Sequence, residues 1–232
     1  MAMPGTAPAA AFFGTEPDSF DFAWPGHAVF GAGCAQQLPA WVAAQGVRRP
    51  LVLTDAGLVQ AGVVAPLAHA LGACGIAPAL FDGVAANPTL DNVAQARACW
   101  DSLRCDGLVA IGGGSVVHVG KGLVASLGSD GPTGGMVREG DRVLSRRAPP
   151  FAALPTTAGT GSESTTAALV KDGQGRKHVL RSRRSRPQWV ALDPQLTLSV
   201  PRSVTASTGF DTVVHALGAG TNRATNPVGG AE

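Results

Sequence analysis

The sequence predicts an α/β protein built on a doubly wound parallel sheet of the Rossmann type, followed by a helical stretch. Three observations predict it. Short apolar runs alternate with stretches of helical spacing from about residue 51 to 127, the pitch at which crossover helices join parallel strands. One of these runs, D-G-L-V-A-I at 106–111, is apolar almost throughout, as expected of a strand covered on both faces. Beyond about residue 191 the strand-like runs stop.

Taken in order, L-V-L-T-D (51–55) reads as a buried strand. Residues 58–74 place Leu58, Val63, Leu67 and Leu71 at helical spacing and predict one helix. A-P-A-L-F-D (77–82) is the second strand, V-A-A-N-P-T-L-D a turn, and 91–104 the next helix. The third strand, 106–111, runs into G-G-G-S, and a helix follows over about 116–127. Residues 129–150, rich in Gly, Pro and Arg, predict a loop or hairpin. F-A-A-L-P (151–155) is a further strand, leading into the small-residue loop P-T-T-A-G-T-G-S-E. D-P-Q-L-T-L-S-V-P-R then reads as a capped loop before a helix through S-V-T-A-S-T-G-F-D-T-V-V-H-A. This organisation gives a loose tail over 1–13, an α/β domain over 14–190, and the opening part of a helical domain over 191–232.

Composition narrows the class. The chain has 232 residues, 45% hydrophobic and 15% charged, enough to bury a core. A net charge of +2 implies neither a nucleic-acid nor a membrane partner. Cys34, Cys74, Cys99 and Cys105 show no C-x-x-C spacing and read as reduced thiols of a cytoplasmic protein. The first residues lack the basic start and apolar run of a signal peptide, and no apolar stretch approaches the roughly 18 residues of a membrane span.

Three stretches carry chemistry. I-G-G-G-S ends a buried strand and opens a helix, where backbone N–H groups can hold phosphate oxygens and glycine lets a ligand approach. It is neither G-x-G-x-x-G nor a Walker loop, and an ordinary tight turn is the alternative. Asp55 ends an early strand, where a carboxylate can accept from a ribose diol and repel a 2′-phosphate, favouring NAD. A helix N-cap is its alternative role. Thr156, Thr157, Thr160 and Ser162 set hydroxyls beside glycines, suited to phosphates and ribose, or to a merely polar loop. Asp211 and His215 stand four apart in G-F-D-T-V-V-H-A-L-G, one turn apart on one helix face. They form either an exposed helix pair or two ligands of a divalent metal, which takes three or four donors from a protein. Only 17 residues follow His215, and Glu232 is the sole His, Cys, Asp or Glu among them.

G-H-A-V-F-G-A-G, L-V-L-T-D-A-G-L, N-P-T, I-G-G-G-S, L-P-T-T-A-G-T-G-S-E, R-K-H, D-P-Q-L-T and G-F-D-T-V-V-H-A occur in order from about residue 25 onward. Together they resemble the iron-containing (group III) alcohol dehydrogenase family. The resemblance implies an N-terminal dinucleotide-binding domain, a C-terminal helical domain, a metal in the cleft between them, and hydride transfer between NAD(P) and an alcohol carbon. It implies that Asp55 reads the adenosine ribose and that Asn87 contacts the cofactor. Gly113, Gly114 and Ser115 correspond to the pyrophosphate loop, Thr156, Thr157 and Thr160 to the second phosphate and ribose contact, and Lys177 to a lysine beside the cofactor. Asp211 and His215 correspond to two of the ligands of Fe2+ or Zn2+, and the other two are downstream histidines in the family. The chain is therefore expected to be truncated, with an incomplete metal site and weak or absent turnover. The substrate implied is a small alcohol or aldehyde, and a homo-oligomer is compatible. A non-catalytic NAD-binding fragment is the alternative from another class. A maleylacetate-reductase-like enzyme is another, although that branch often carries Asn where Asp211 stands.

Two departures from the family pattern are His118, where Asp is usual three residues after the Ser of G-G-G-S, and Gly218, where an acid is common. His118 reads either as structural or as a neighbour of the cofactor. His27, His69 and His178 read as exposed or satisfied histidines. The run 176–186 carries six Lys or Arg without interleaved aromatics and reads as a solvated loop rather than a nucleic-acid surface, Lys177 excepted.

Overall fold

The computed structural model describes residues 26–128 and 148–221. The expected tail at 1–13 and nearly all of the loop expected at 129–150 lie outside the described residues. The elements in chain order are β1 (His27–Phe30), α1 (Leu38–Ala44), β2 (Pro50–Leu53), α2 (Ala56–Gln60), α3 (Val64–Ala73), β3 (Ala79–Phe81), α4 (Leu90–Leu103), β4 (Gly107–Gly112) and α5 (Gly114–Leu127). They continue with β5 (Phe151–Pro155), β6 (Ala167–Lys171), β7 (Lys177–Arg181), β8 (Trp189–Leu192) and α6 (Arg202–Thr221).

Six strands form one sheet in the order β1-β8-β5-β4-β2-β3, and every pairing in it is parallel. Alternation along the strands feeds two cores. Leu51 and Leu53 of β2, Leu108 and Ala110 of β4, and Phe151 of β5 pack with α4 and α5 on one face. Val52, Val109, Ile111, Ala152 and Leu154 point the other way, against α1, α2 and α3. Helices on both faces are what the doubly wound reading requires.

Local chemistry sets the boundaries. Thr89 caps α4 by accepting from Asn92 N–H at 3.2 Å, and Asn92 Oδ1 accepts in turn from Thr89 N–H at 3.3 Å, a reciprocal cap that starts the helix firmly. Tight approach across α5 depends on glycine. A Cβ on Gly120 would lie 2.8 Å from the Phe151 ring, and one on Gly122 would lie 2.7 Å from Val93 Cγ2.

Three readings need correction. The single helix expected over 58–74 is two, because Gly62 takes φ 74° and ends α2 with a left-handed turn that α3 restarts beyond. The basic run is not a solvated loop throughout, since Lys177–Arg181 is β7, paired antiparallel with β6. Asp172 makes that hairpin, accepting at Oδ1 from Gln174 and Arg176 N–H, both at 2.9 Å, and at Oδ2 from Arg176 Nε and His178 Nε2, also 2.9 Å. β1 and β8 also join the sheet unanticipated, and β8 runs on to Leu192. No helix among the described residues is long and apolar enough to cross a membrane.

Candidate functional site

The sheet's topology opens the site. From β2 the chain moves outward to β3, then crosses back to β4 on the other side of β2. The helices that follow β2 and β4 pack on opposite faces, so their turns part at the strands' carboxyl ends and leave a crevice. An open cleft of about 1120 Å³ lies there. Asp55, Asn87, Gly113, Gly114, Ser115, Thr156, Thr157, Thr160 and Lys177 all line it, as does Asp211. His215 is not among its lining residues.

Each lining residue is held by local structure. Asp55 is the N-cap of α2, with Oδ1 accepting from Leu58 N–H at 3.0 Å. The capping role and a place in the cleft therefore coexist. Ser115 Oγ donates to Ala86 O at 2.7 Å, which ties the loop bearing Asn87 to the start of α5. Thr156 N–H donates to Gly112 O at 3.1 Å, joining the small-residue loop to the end of β4. A Cβ on Gly113 would stand 3.3 Å from Thr157 Oγ1, and one on Gly114 2.9 Å from Thr160 Oγ1 and 3.1 Å from Ser162 Oγ. Glycine at these positions lets the threonine loop close onto the helix start, whose first N–H groups have no partner inside the helix. Lys177 faces Lys171 across the hairpin register, and both line the cleft. Lys171 was not anticipated, because the hairpin that carries it was not.

Two further residues shape the site. Lys121 of α5 has no exposed surface, and its Nζ donates to Thr165 O at 2.6 Å, Thr165 Oγ1 at 2.8 Å and Ala167 O at 3.0 Å. It pins the end of the threonine loop where β6 begins. Burial pulls its pKa down to about 7, and Glu163, whose own pKa burial raises, offsets part of that fall. The signal in the sequence is a lone lysine inside V-V-H-V-G-K-G-L-V, an otherwise apolar helix. His118 lines the cleft and touches Ser162 Oγ at 3.2 Å. Burial, with the Lys121 charge second, lowers its pKa to about 4.

Asp211 and His215 lie on α6, 3.6 Å apart, and both are well exposed. His215 Nδ1 sits 3.3 Å from Gly159 O, and a Cβ on Gly159 would lie 2.3 Å from Thr208 O, so α6 rests on the threonine loop at this point. Among the described residues no three of His, Cys, Asp or Glu converge as a metal site. The carboxylate and imidazole suit iron or zinc in kind, but two donors fall short of the number such an ion takes.

A sequence model described as iron-containing alcohol dehydrogenase matches residues 25–194. The chain is 38% identical over 174 residues to a 4-hydroxybutyrate dehydrogenase of Cupriavidus necator, covering 74% of this chain and 45% of that protein. It is 34% identical over 212 residues to a 1,3-propanediol dehydrogenase of Klebsiella pneumoniae, covering 90% and 54%. Among solved structures, a 1,3-propanediol oxidoreductase superposes with a TM-score of 0.85 at 34% identity, over 90% of this chain and 55% of the other. A sulfoacetaldehyde reductase from Bifidobacterium kashiwanohense, solved in complex with NAD+, gives 0.81 at 30% identity, over 88% and 54%. The chain spans about half the length of the curated relatives it matches.

Proposed function

The chain belongs to the iron-containing alcohol dehydrogenase family, and on that footing we propose that its cleft binds NAD for hydride exchange with the carbon of a small alcohol or aldehyde. One observation carries the reading. Every residue that the family resemblance assigns to the nucleotide lines a single cleft at the switch point of the sheet. The start of α5 is a place for an anion, the glycines leave room there, and Lys171 and Lys177 add positive charge. NAD supplies the hydride acceptor when bound. The chain's own part is to hold phosphates at Gly113, Gly114 and Thr160, to receive a ribose diol at Asp55, and to orient the remainder along the cleft. The Asp55 carboxylate would repel a 2′-phosphate, so NAD is preferred over NADP. A reducing, cytoplasmic setting accords with four cysteines that are all free.

Asp211 and His215 are donors of the kind that would hold iron or zinc, and among the described residues no third converges with them. A nucleotide-binding module without turnover of its own is the second reading of the same cleft.

Titration with NADH and NADPH, followed by nicotinamide fluorescence and calorimetry, tests the proposal. NADH should bind, NADPH about tenfold or more weakly, and Gly114→Val should abolish binding of both. Asp55→Asn keeps an oxygen for the α2 cap and removes the charge, so it should narrow the preference. A folded chain that binds neither nucleotide would sink the reading. Binding of NADH without oxidation of a panel of short primary alcohols, with ferrous or zinc ion present, would select the second one.

A further inference from the structure

The hydroxyls at the mouth of α5 are ordered by a histidine, and the order has a direction. His118 Nδ1 accepts from Leu169 N–H at 3.3 Å. The Ala167 carbonyl also lies near the ring, but it already accepts from Lys121 Nζ at 3.0 Å and from Thr165 Oγ1 at 3.4 Å, which occupy its two lone pairs. With Nδ1 an acceptor, a neutral imidazole carries its hydrogen on Nε2. Nε2 stands 3.2 Å from Ser162 Oγ, so it donates there. Ser162, only 2% exposed, in turn donates to Thr160 Oγ1 at 3.0 Å. Thr160 Oγ1 also accepts from Ser162 N–H at 3.3 Å. Its two acceptor positions are thus filled, and its own hydrogen has no acceptor among the described residues. Thr160 lines the cleft, and its Oγ1 lies beside Gly114, the first residue of α5.

We propose that His118 is a positioning residue for nucleotide phosphate: it polarises the relay His118 Nε2–H to Ser162 Oγ–H to Thr160 Oγ1, leaving Thr160 as an obligatory donor into the cleft. Reversed, the same three groups would present a lone pair to an anion and repel it. The direction costs nothing at the moment of binding, because it is set by the backbone of β6 through Leu169. Preorganised donors of this kind are worth more than hydroxyls free to rotate. The neutral ring is secured by burial and by the nearby Lys121 charge. The phosphate role rests on the NAD reading above, whereas the relay does not.

Two measurements separate them. In the nucleotide-free chain labelled with ¹⁵N-histidine, NMR at pH 7 should show His118 as the Nε2–H tautomer, with Nδ1 unprotonated. The Nδ1–H tautomer or an imidazolium would overturn the relay without reference to any ligand. Calorimetry with ADP and with adenosine then reads the consequence. His118→Phe and Thr160→Val should each weaken ADP by about tenfold, the worth of one hydrogen bond to a charged group, and leave adenosine within about twofold. Equal loss for both ligands would mean that the variants merely loosen the cleft, and would overturn the positioning role. ADP affinity unchanged in folded variants would overturn it too. Failure of the unaltered chain to bind ADP would remove the nucleotide reading, while the tautomer still decides the relay.

Discussion

Lys121 is the residue on which the threonine loop hangs, and its chemistry makes a prediction about pH. Its three N–H groups are matched by three acceptors, two on Thr165 and one on Ala167, so the site is fully partnered despite burial. Burial still favours the neutral amine and brings the pKa to about 7, from an ordinary value of 10.5. Between those two values the unfolded chain binds more protons than the folded one, so stability rises with pH across that window. Below about pH 7 both states are charged, and the penalty for burying the charge is fully present. The buried thiols act in the opposite sense at higher pH. The Cys105 thiol is pushed up to about 11 by burial, so the folded state holds its proton above pH 9 and stability falls there. The clean range is therefore pH 7 to 8.5. Urea unfolding across it should show stability increasing, and Lys121→Met should flatten that increase while lowering stability overall, since three acceptors lose their donor. An unaltered slope in the variant would mean that another group titrates there.

Among elements, the closure of the sheet's edge depends on one carboxylate. Asp193, just beyond β8, accepts from Gly33 N–H at 3.0 Å and Ala35 N–H at 3.1 Å, and from Gln195 N–H at 3.0 Å. It is 3% exposed, and it fastens the turn after β1 to the end of β8, across most of the chain. Asp193→Ala should cost about 2–4 kcal/mol, the loss of charge-assisted bonds that leaves buried N–H groups unmatched, and a thermal melt would read it directly. The same elements show what could be read in the sequence. β2, β4 and β5 were legible because both their faces are buried, and a continuous apolar run betrays that. β1, a short edge strand, and β8, whose W-V-A-L lies beside the basic run, gave no such run of useful length. β7 reads K-H-V-L-R, charged at both ends, and its strand character comes from pairing with β6. The D-G at 172–173 was the available signal of a hairpin. Gly62 was visible too, but a glycine in a helical pattern breaks it only when the turn is left-handed. The nucleotide residues were legible as motifs. The histidine relay was not, because it joins α5, the threonine loop and β6 through space.

At the scale of the whole molecule, two parts differ in how they are held. The central strands and α5 are buried: β4 and β5 have no exposed residue, and most of α5 lies in the core. α6 runs for 20 residues without one that is buried. Phe210 is 70% exposed and Leu217 63%, while Val213 and Val214 are exposed as well, so among the described residues the helix lacks the apolar packing from which most helical stability comes. Its hold on the α/β body is at the threonine loop, through His215 and the close approach of Thr208 to Gly159. Amide exchange should therefore divide the chain. β4, β5 and α5 should exchange only by near-global opening, and α6 by local opening that costs far less. His215→Ala removes a contact between two exposed groups, so it should speed exchange in α6 further, shift overall stability by no more than about 0.5 kcal/mol, and leave NADH affinity unchanged. Protection in α6 equal to that of β4 would mean that its apolar face is covered in solution, and light scattering on the same sample would then tell self-association from folding within one chain. A fall in NADH affinity on His215→Ala would extend the part of α6 that serves the nucleotide beyond the cleft lining contributed by Val204, Ser207, Thr208 and Asp211.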